Sequence, residues 1–170
     1  RSCLVGSEMC IRDSNRHCDF RGLKTFYPEK CNYGLVEVDN KNQQSFYFVG
    51  SSHAGTLSGM IGSLKNQEST NLYSLYVGGT FFPALNGNFY PKGYREIQKI
   101  DNQNQTKILR FIAMNSKDGD IVVISNHLVL FGGPAGPIQA NHNEIVRQYF
   151  HNLEKFTSKM RNLDVNIVLI

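Results

Sequence analysis

Apolar residues fall along the chain in short blocks with two different spacings. Compact runs of aromatic and β-branched residues, such as 45–49 and 120–125, predict buried strands. Other stretches place an apolar residue every three or four positions, which is the period of a helix that packs on one side. Because strands and helices alternate throughout, the pattern predicts an α/β fold with a mainly parallel sheet flanked by helices.

The same pattern gives the bounds of each expected element. Strands are predicted, in chain order, at 35–38 as a short edge strand, 45–49, 72–77, 120–125 and 165–170. Helices are predicted at 52–65, 94–100, 106–115 and from Asn141 or Asn143 to about Met160. The run at 120–125 is expected to be a central parallel strand, buried on both faces. The last helix should dock on the sheet through one apolar face, formed by Ile145, Tyr149, Leu153 and Phe156.

The two ends of the chain differ from the rest. Residues 1–14 have no convincing amphipathic period, and their back-translated codons resemble a common sequencing adapter. We therefore expect this segment to be an artefact and exclude it, with Cys3 and Cys10, from the prediction of the fold. The other end stops within an apolar strand pattern, so the chain is expected to be a fragment. Residues 15–44 are then a cysteine-containing lead-in, and residues 45–170 a partial domain.

Composition and charge exclude several classes of function. The hydrophobic content of 41% is enough for the core of one globular domain. No run approaches the eighteen or so apolar residues that cross a bilayer. The net charge of +4 is modest, and the basic residues are scattered, so no nucleic acid is expected as a partner. No cofactor or metal site is predicted, because Cys18 and Cys31 with the lone His17 do not complete a zinc ligand set.

Two short sequence features concern the compartment of the protein. Cys18 and Cys31 are an even pair in a lead-in that is expected to lie outside the core, which favours a disulfide and an oxidising compartment. Two reduced thiols in a cytosolic protein would give the same pattern. Asn104, Gln105 and Thr106 form a glycosylation sequon, which has meaning only in a eukaryotic secretory context.

The segment 46–57 predicts a strand that runs directly into a small, hydroxyl-rich helix start. The tripeptide Gly50-Ser51-Ser52 allows a tight turn and would expose a hydroxyl where unpaired backbone N–H groups stabilise an oxyanion. Ser52 is therefore the candidate nucleophile. The alternative is that Ser51 or Ser52 only caps the helix, since serine is a preferred N-cap residue. His53 is adjacent to Ser52 and should point away from its hydroxyl, which favours a scaffold role.

Polar groups and glycines follow three of the predicted strands at their carboxyl ends. Ser52 follows the first core strand, Gly78 and Gly79 follow the second, and Asn126 and His127 follow the third. The carboxyl ends of parallel strands meet at one edge of a sheet, where ligands bind. A hydroxyl, a glycine amide and a carboxamide that converge there predict an acyl-transfer site. The alternatives are a turn role for the glycines and for Asn126, with His127 as a competing hydrogen-bond donor.

These residues resemble the SGNH hydrolase superfamily, whose first block is Gly-Asp-Ser. The closest resemblance is to the SGNH domain fused to membrane acyltransferases that acetylate cell-surface polysaccharides. Its first block reads approximately Val-Gly-Asp-Ser-His-Ala-Gly and is matched by Val49–Gly55, and its Asp-Ile-Val-Val-Ile strand is matched by Asp120–Ile124. The resemblance covers most of residues 15–170. It implies a three-layer, flavodoxin-like sandwich.

The resemblance also implies a function. The expected activity is serine-dependent O-acyl transfer or ester hydrolysis on an acylated cell-surface glycan, with Ser52 as nucleophile and Gly78 and Asn126 in the oxyanion hole. The expected partners are an acyl donor, a glycan acceptor and a fused or associated membrane acyltransferase domain. The expected location is the extracytoplasmic face of a membrane.

Two departures from the family pattern matter. Ser51 occupies the place of the usual aspartate. The family's catalytic Asp-x-x-His pair lies near the C-terminus of the domain, and no such motif follows Asn126, since Asp164 has no histidine three residues on. The fragment is therefore expected to be inactive by itself. One alternative is a degenerate SGNH-like module that binds glycan or positions a fused domain without catalysis. Another is an esterase of the α/β-hydrolase type, because residues 50–54 approximate Gly-x-Ser-x-Gly.

Overall fold

The computed structural model describes residues 18–32, 43–57, 70–85, 95–126 and 142–170. Within these ranges the strands are β1 (Gln44–Gly50), β2 (Thr70–Tyr76), β3 (Ile121–Ser125) and β4 (Asn166–Leu169). The α-helices are α1 (Ser52–Thr56), α2 (Arg95–Asn115) and α3 (His142–Arg161), and a short 3₁₀ helix spans Pro28–Cys31. No helix among these residues is both long and apolar enough to span a bilayer.

The four described strands form one parallel sheet in the order β2, β1, β3, β4. Side chains alternate between the two faces of β1, as a strand requires. Tyr47 and Val49 join the larger hydrophobic cluster, which includes residues of α2 and α3. Phe48 joins a smaller cluster with Leu72 and Val123. This arrangement confirms the predicted α/β fold with a parallel sheet and flanking helices, and β3 is an inner strand as expected.

Most predicted elements agree with the structure to within a residue or two. The predicted apolar face of α3 is confirmed, since its four apolar residues are all buried. The predicted strand at 35–38, most of the predicted helix at 52–65 and residues 1–17 lie outside the described residues. His127 lies outside them as well.

The prediction of two helices between β2 and β3 was wrong, because α2 is one continuous helix of 21 residues. The expected break falls at 101–105, where the sequence is polar. Asp101, Asn104 and Gln105 are buried in the structure, at 2%, 1% and 0% exposed. Their side chains form hydrogen bonds with neighbouring loops, so these polar residues belong to the packed face of the helix. A period based on apolar residues alone cannot detect such a face.

The prediction that the cysteine-containing lead-in lies outside the core was also wrong. Cys18, Phe20 and Cys31 are at most 1% exposed and belong to the larger hydrophobic cluster. The lead-in runs along β2, where Asp19 forms a parallel bridge with Tyr76. The backbone N–H of Phe20 donates to the Tyr76 carbonyl at 2.9 Å. The described lead-in residues therefore cover the outer side of β2.

Two polar side chains of α2 fasten the lead-in. The Asp101 carboxylate accepts a hydrogen bond from the Gly22 N–H at 2.7 Å. The Asn104 amide donates to the carbonyls of Phe20 and Leu23 at 2.7 and 2.8 Å. Because Asn104 is buried and engaged in this way, the sequon at 104–106 is closed to glycosylation in the folded protein.

The Asp101 carboxyl gives a test of this fastening. Burial raises the pKa of Asp101, although the Gly22 N–H and the Arg21 cation oppose the rise. An acid whose pKa is higher in the folded state binds its proton more tightly there, so its contribution to stability falls as pH rises through the raised pKa. In Asp101→Asn the amide oxygen can still accept from Gly22, and the buried charge is gone. We expect the variant to gain stability relative to wild type as pH rises from about 4, the ordinary pKa of an aspartate, through the raised pKa of Asp101.

Urea unfolding at a series of pH values measures this difference. Asp118→Asn is the matched control, because Asp118 is exposed in the turn before β3. Its stability difference from wild type should change less over the same range. If the difference in unfolding free energy between Asp101→Asn and wild type does not change with pH, the raised pKa of the Asp101 carboxyl is contradicted.

Candidate active site

The candidate site begins at Gly50, where β1 ends against β3. Gly50 has a φ of +148°, and a Cβ atom at this position would lie 1.8 Å from the Ser125 carbonyl oxygen. The next residue, Ser51, donates its N–H to that same carbonyl at 3.1 Å. Only glycine allows this close approach of the two backbones. The chain therefore turns from β1 into α1 at a fixed point.

The two serines after Gly50 occupy different environments. Ser51 is fully buried and caps α1, with its Oγ accepting the His53 N–H at 3.4 Å. Ser52 is the first residue of α1 and is exposed. Of the two serines considered for the cap, Ser51 therefore has that role, and the Ser52 hydroxyl lies at the surface. His53 is exposed, and its carbonyl accepts a hydrogen bond from Thr56 Oγ1 at 2.7 Å.

Gly78 lies beyond the carboxyl end of β2, beside β1. Its N–H, which the sequence assigns to an oxyanion hole, donates to Asp19 Oδ1 at 2.9 Å. A Cβ atom on Gly78 would lie 2.9 Å from the other carboxylate oxygen of Asp19. Gly79, with a φ of +75°, approaches the guanidinium of Arg21. The Gly78 amide is thus engaged by a carboxylate in this structure, and a role in an oxyanion hole would require Asp19 to move.

Asn126 lies at the carboxyl end of β3, and its carboxamide forms three hydrogen bonds. Its oxygen accepts the Phe82 N–H at 3.0 Å, and its nitrogen donates to the Phe82 carbonyl at 2.8 Å. The same nitrogen donates to the Tyr149 hydroxyl at 2.9 Å. Asn126 therefore joins the segment after β2 to α3. Both amide hydrogens are in use, so the role predicted for Asn126 in an oxyanion hole would also need a rearrangement.

The comparisons with known proteins identify the family. A family model described as "SGNH domain (fused to AT3 domains)" matches residues 10–170. The chain belongs to this family. Neither the search of curated proteins nor the search of solved structures gave a match. The matched region begins inside the segment 1–14, whose assignment to an adapter stays a prediction.

Membership in the SGNH family confirms the resemblance found in the sequence and the three-layer α/β fold class. It places the domain in an acyl-transfer or esterase-like class and associates it with an acyltransferase domain of a membrane protein. The α/β-hydrolase alternative is not supported, since the family model that matches is of the SGNH type. The roles of individual site residues stay predictions.

The substitution of serine for the usual aspartate in the first block has a clear structural outcome. Ser51 keeps the N-cap of α1, and its carbonyl accepts the Ala54 N–H at 3.0 Å. Serine and aspartate are both preferred N-cap residues. The SGNH domain therefore retains the turn that presents Ser52, although its first block departs from the family pattern.

Tyr76, at the end of β2, lies beside the candidate site and was not indicated by the sequence. It pairs in register with Gly50, and its ring packs against Gly55 of α1. Burial raises the pKa of Tyr76 to about 12, with smaller contributions from Asp19, Cys18 and Cys31. The sequence feature that relates to this contact is the glycine at position 55. A Cβ atom there would lie 2.7 Å from the Tyr76 Cζ, so the tyrosine ring needs a glycine at this point of α1.

Asp164, the other acidic residue considered from the sequence, lies away from the candidate site. Asp164 has a φ of +54° in the turn before β4, and its carbonyl accepts the Gly119 N–H at 3.2 Å. It therefore lies at the amino edge of the sheet, opposite Ser52. His151 is exposed on α3. Within the described ranges no group of three or more His, Cys, Asp or Glu side chains comes together as a metal site would need.

The hydrogen bonds of Asn126 predict a stability role that mutation can measure. Asn126→Ala leaves the Phe82 backbone and the Tyr149 hydroxyl without their partner, so we expect the free energy of unfolding to fall by about 3 kcal/mol. Asn162→Ala is the control, because Asn162 is exposed in the turn after α3 and should cost less than about 0.5 kcal/mol. Urea unfolding measures both. Equal stability of the two variants would contradict the structural role of Asn126.

Proposed function

We propose that Ser52 is the nucleophile of an acyl transfer or ester hydrolysis that acts on an acylated cell-surface glycan. The observation that carries this proposal is that the two adjacent serines, Ser51 and Ser52, differ in exposure. Ser51 is buried in the cap, whereas Ser52 is exposed at the carboxyl end of β1, where ligands of parallel sheets bind. The family is fused to AT3 domains, which agrees with the transfer of an acyl group.

The reaction would proceed in two steps through an acyl-enzyme. In the first, Ser52 Oγ bonds to the acyl carbonyl carbon and gives its proton to a base, and the donor oxygen leaves when the tetrahedral oxyanion collapses. In the second, a glycan hydroxyl or water attacks the acyl group and releases Ser52. The base is expected to be the Asp-x-x-His pair of the family, supplied by a part of the complete protein other than the described residues.

The proposed partners follow from this reaction. An acyl donor and a glycan acceptor must both reach the carboxyl edge of the sheet. The membrane acyltransferase domain with which the family is fused is the natural source of the acyl group. We place the SGNH domain on the extracytoplasmic side of that membrane, where cell-surface glycans are found.

A second candidate function is favoured because both predicted oxyanion donors already form hydrogen bonds within the domain. The Gly78 amide is engaged by Asp19, and the Asn126 carboxamide is engaged by Phe82 and Tyr149. An SGNH domain that binds glycan or positions the acyltransferase domain without catalysis would not need these donors. The two candidates differ in whether Ser52 is reactive.

Fluorophosphonate labelling of the protein together with its AT3 domain separates the two functions. We expect wild type to be labelled at Ser52, because the serine displaces fluoride from phosphorus as it would attack an acyl carbonyl. Ser52→Ala should lose labelling and acyl transfer by at least about 10³-fold. Its unfolding midpoint should be unchanged, since the Ser52 side chain is exposed. Labelled peptides are identified by mass spectrometry.

Ser51→Ala is the matched control. Loss of the cap should cost about 1 kcal/mol of stability, and labelling at Ser52 should persist. Undiminished labelling in Ser52→Ala would contradict the nucleophile assignment. A wild-type protein that is inert at Ser52 would favour the non-catalytic module.

We also propose that Cys18 and Cys31 form a disulfide in the mature protein. In the structure both are buried thiols in one hydrophobic cluster, and both lie close enough to Tyr76 to raise the pKa of its hydroxyl. The chain between them closes a short loop over the outer side of β2. Such a bond agrees with an extracytoplasmic location, because disulfides persist in oxidising compartments.

Reduction of the exported protein tests the disulfide. We expect non-reducing peptide mapping to give a linked Cys18–Cys31 peptide, and reduction to lower the free energy of unfolding by about 3 kcal/mol. The double variant Cys18→Ala and Cys31→Ala is the control, and the reductant should leave its stability unchanged. Recovery of both cysteines as alkylated thiols without reductant would contradict the bond.

A further inference from the structure

Beyond the backbone N–H groups at the start of α1, the oxyanion of the proposed reaction needs a further hydrogen-bond donor, because Gly78 and Asn126 are both engaged in this structure. A tetrahedral intermediate is stabilised by donors already aimed at the position where negative charge develops. The Gly78 N–H points at the Asp19 carboxylate, and both hydrogens of the Asn126 amide are in use.

The position of Tyr76 brings its hydroxyl next to the helix that carries Ser52. In the register of β1 and β2, Tyr76 pairs with Gly50. Gly50 lies two residues before Ser52 in the chain. A Cβ atom on Gly55 would lie 2.9 Å from the Tyr76 hydroxyl oxygen and 2.7 Å from its Cζ. Residues three apart on a helix are neighbours, at about 5–6 Å between Cβ atoms. The phenol end of Tyr76 therefore contacts α1 one turn from Ser52.

The Tyr76 hydroxyl differs from the hydroxyl of Tyr149, another buried tyrosine. The Tyr149 hydroxyl accepts a hydrogen bond from the Asn126 amide at 2.9 Å. Among the described residues no hydrogen bond reaches the Tyr76 hydroxyl, and the residue as a whole is 9% exposed. A buried tyrosine usually finds a partner for its hydroxyl. This hydroxyl therefore has capacity for a ligand.

The charge state of Tyr76 suits a donor. Burial and the nearby Asp19 carboxylate both disfavour the phenolate, so the pKa of about 12 keeps the proton on the oxygen at working pH. A neutral donor does not repel an oxyanion. Tyr76 is not suited to act as a general base, because a base must begin without its proton and Tyr76 keeps its proton in the resting enzyme.

We propose that Tyr76 is a catalytic residue of this SGNH domain, whose hydroxyl donates a hydrogen bond to the oxyanion formed when Ser52 attacks an acyl carbonyl. No covalent bond to Tyr76 forms or breaks, and the proton stays on its oxygen. This inference rests on the proposed function, because it requires Ser52 to be the nucleophile.

The test is Tyr76→Phe, which removes the hydroxyl and keeps the ring that packs against Gly55. In the protein with its AT3 domain, we expect kcat for p-nitrophenyl acetate hydrolysis to fall about 10²-fold with KM within about 2-fold of wild type. Fluorophosphonate labelling of Ser52 should slow by a similar factor. The unfolding midpoint should be unchanged, since the lost hydroxyl has no protein partner among the described residues.

Tyr73→Phe is the matched control. Tyr73 lies on the same strand but on the other face, where its ring stacks on Tyr47 at 5.1 Å. This variant loses a half-buried hydroxyl away from Ser52, so its stability should change only slightly while kcat and labelling stay at the wild-type level.

The outcomes separate this inference from the proposed function. If Ser52 is labelled and Tyr76→Phe reacts as fast as wild type, Tyr76 is not an oxyanion donor and the nucleophile assignment stands. If Tyr76→Phe loses activity in proportion to a loss of folded protein, the role of Tyr76 is structural and the inference fails. If wild type is inert at Ser52 although folded, the proposed function fails and the inference fails with it.

Discussion

The close approach of β1 and β3 at Gly50 is the constraint on which the candidate site depends. The Ser125 carbonyl occupies the space that a side chain on Gly50 would need, and it accepts the Ser51 N–H. This contact fixes where β1 ends and makes Ser51 the cap of α1. With Ser51 buried in the cap, the next side chain, Ser52, must lie at the surface. Access to the hydroxyl therefore follows from backbone packing within the sheet, two residues before the serine itself.

Buried polar side chains hold the loops around this fixed point. Asp101 and Asn104 of α2 fasten the lead-in, and Asn126 fastens the segment at Phe82. Loops carry backbone N–H and carbonyl groups that cannot be buried without partners. A carboxylate or carboxamide can satisfy these groups where no strand is adjacent. The burial of Asp101 raises its pKa, which shows that this fastening has an electrostatic cost.

The sequence predicted the parts of the fold that depend on apolar pattern and on a local turn. An aromatic run located β1, a continuous β-branched run located β3, and the Gly-Ser-Ser turn located Ser52. The continuity of α2 and the burial of the lead-in could not be predicted in this way. In both cases polar residues or isolated cysteines become buried because of partners distant in sequence, such as Gly22 for Asp101. The same limit applies to Gly78 and Asn126, whose strand-end positions were predictable but whose hydrogen-bond partners depend on tertiary structure.

At the carboxyl edge of the sheet, the Tyr76 hydroxyl is more available as a hydrogen-bond donor than the Gly78 amide, which Asp19 already engages. Asp19 accepts the Gly78 N–H and the Arg21 N–H through one oxygen, so its carboxylate is part of the turn after β2. An anion formed close to this carboxylate would be destabilised, whereas an anion nearer α1 would be farther from that charge. Tyr76 lies between these two positions, with its backbone beside Asp19 and its ring against Gly55. The Asp19 charge helps to keep the proton on the Tyr76 oxygen, and the hydroxyl, which lies against α1, can donate a hydrogen bond to an anion on that side.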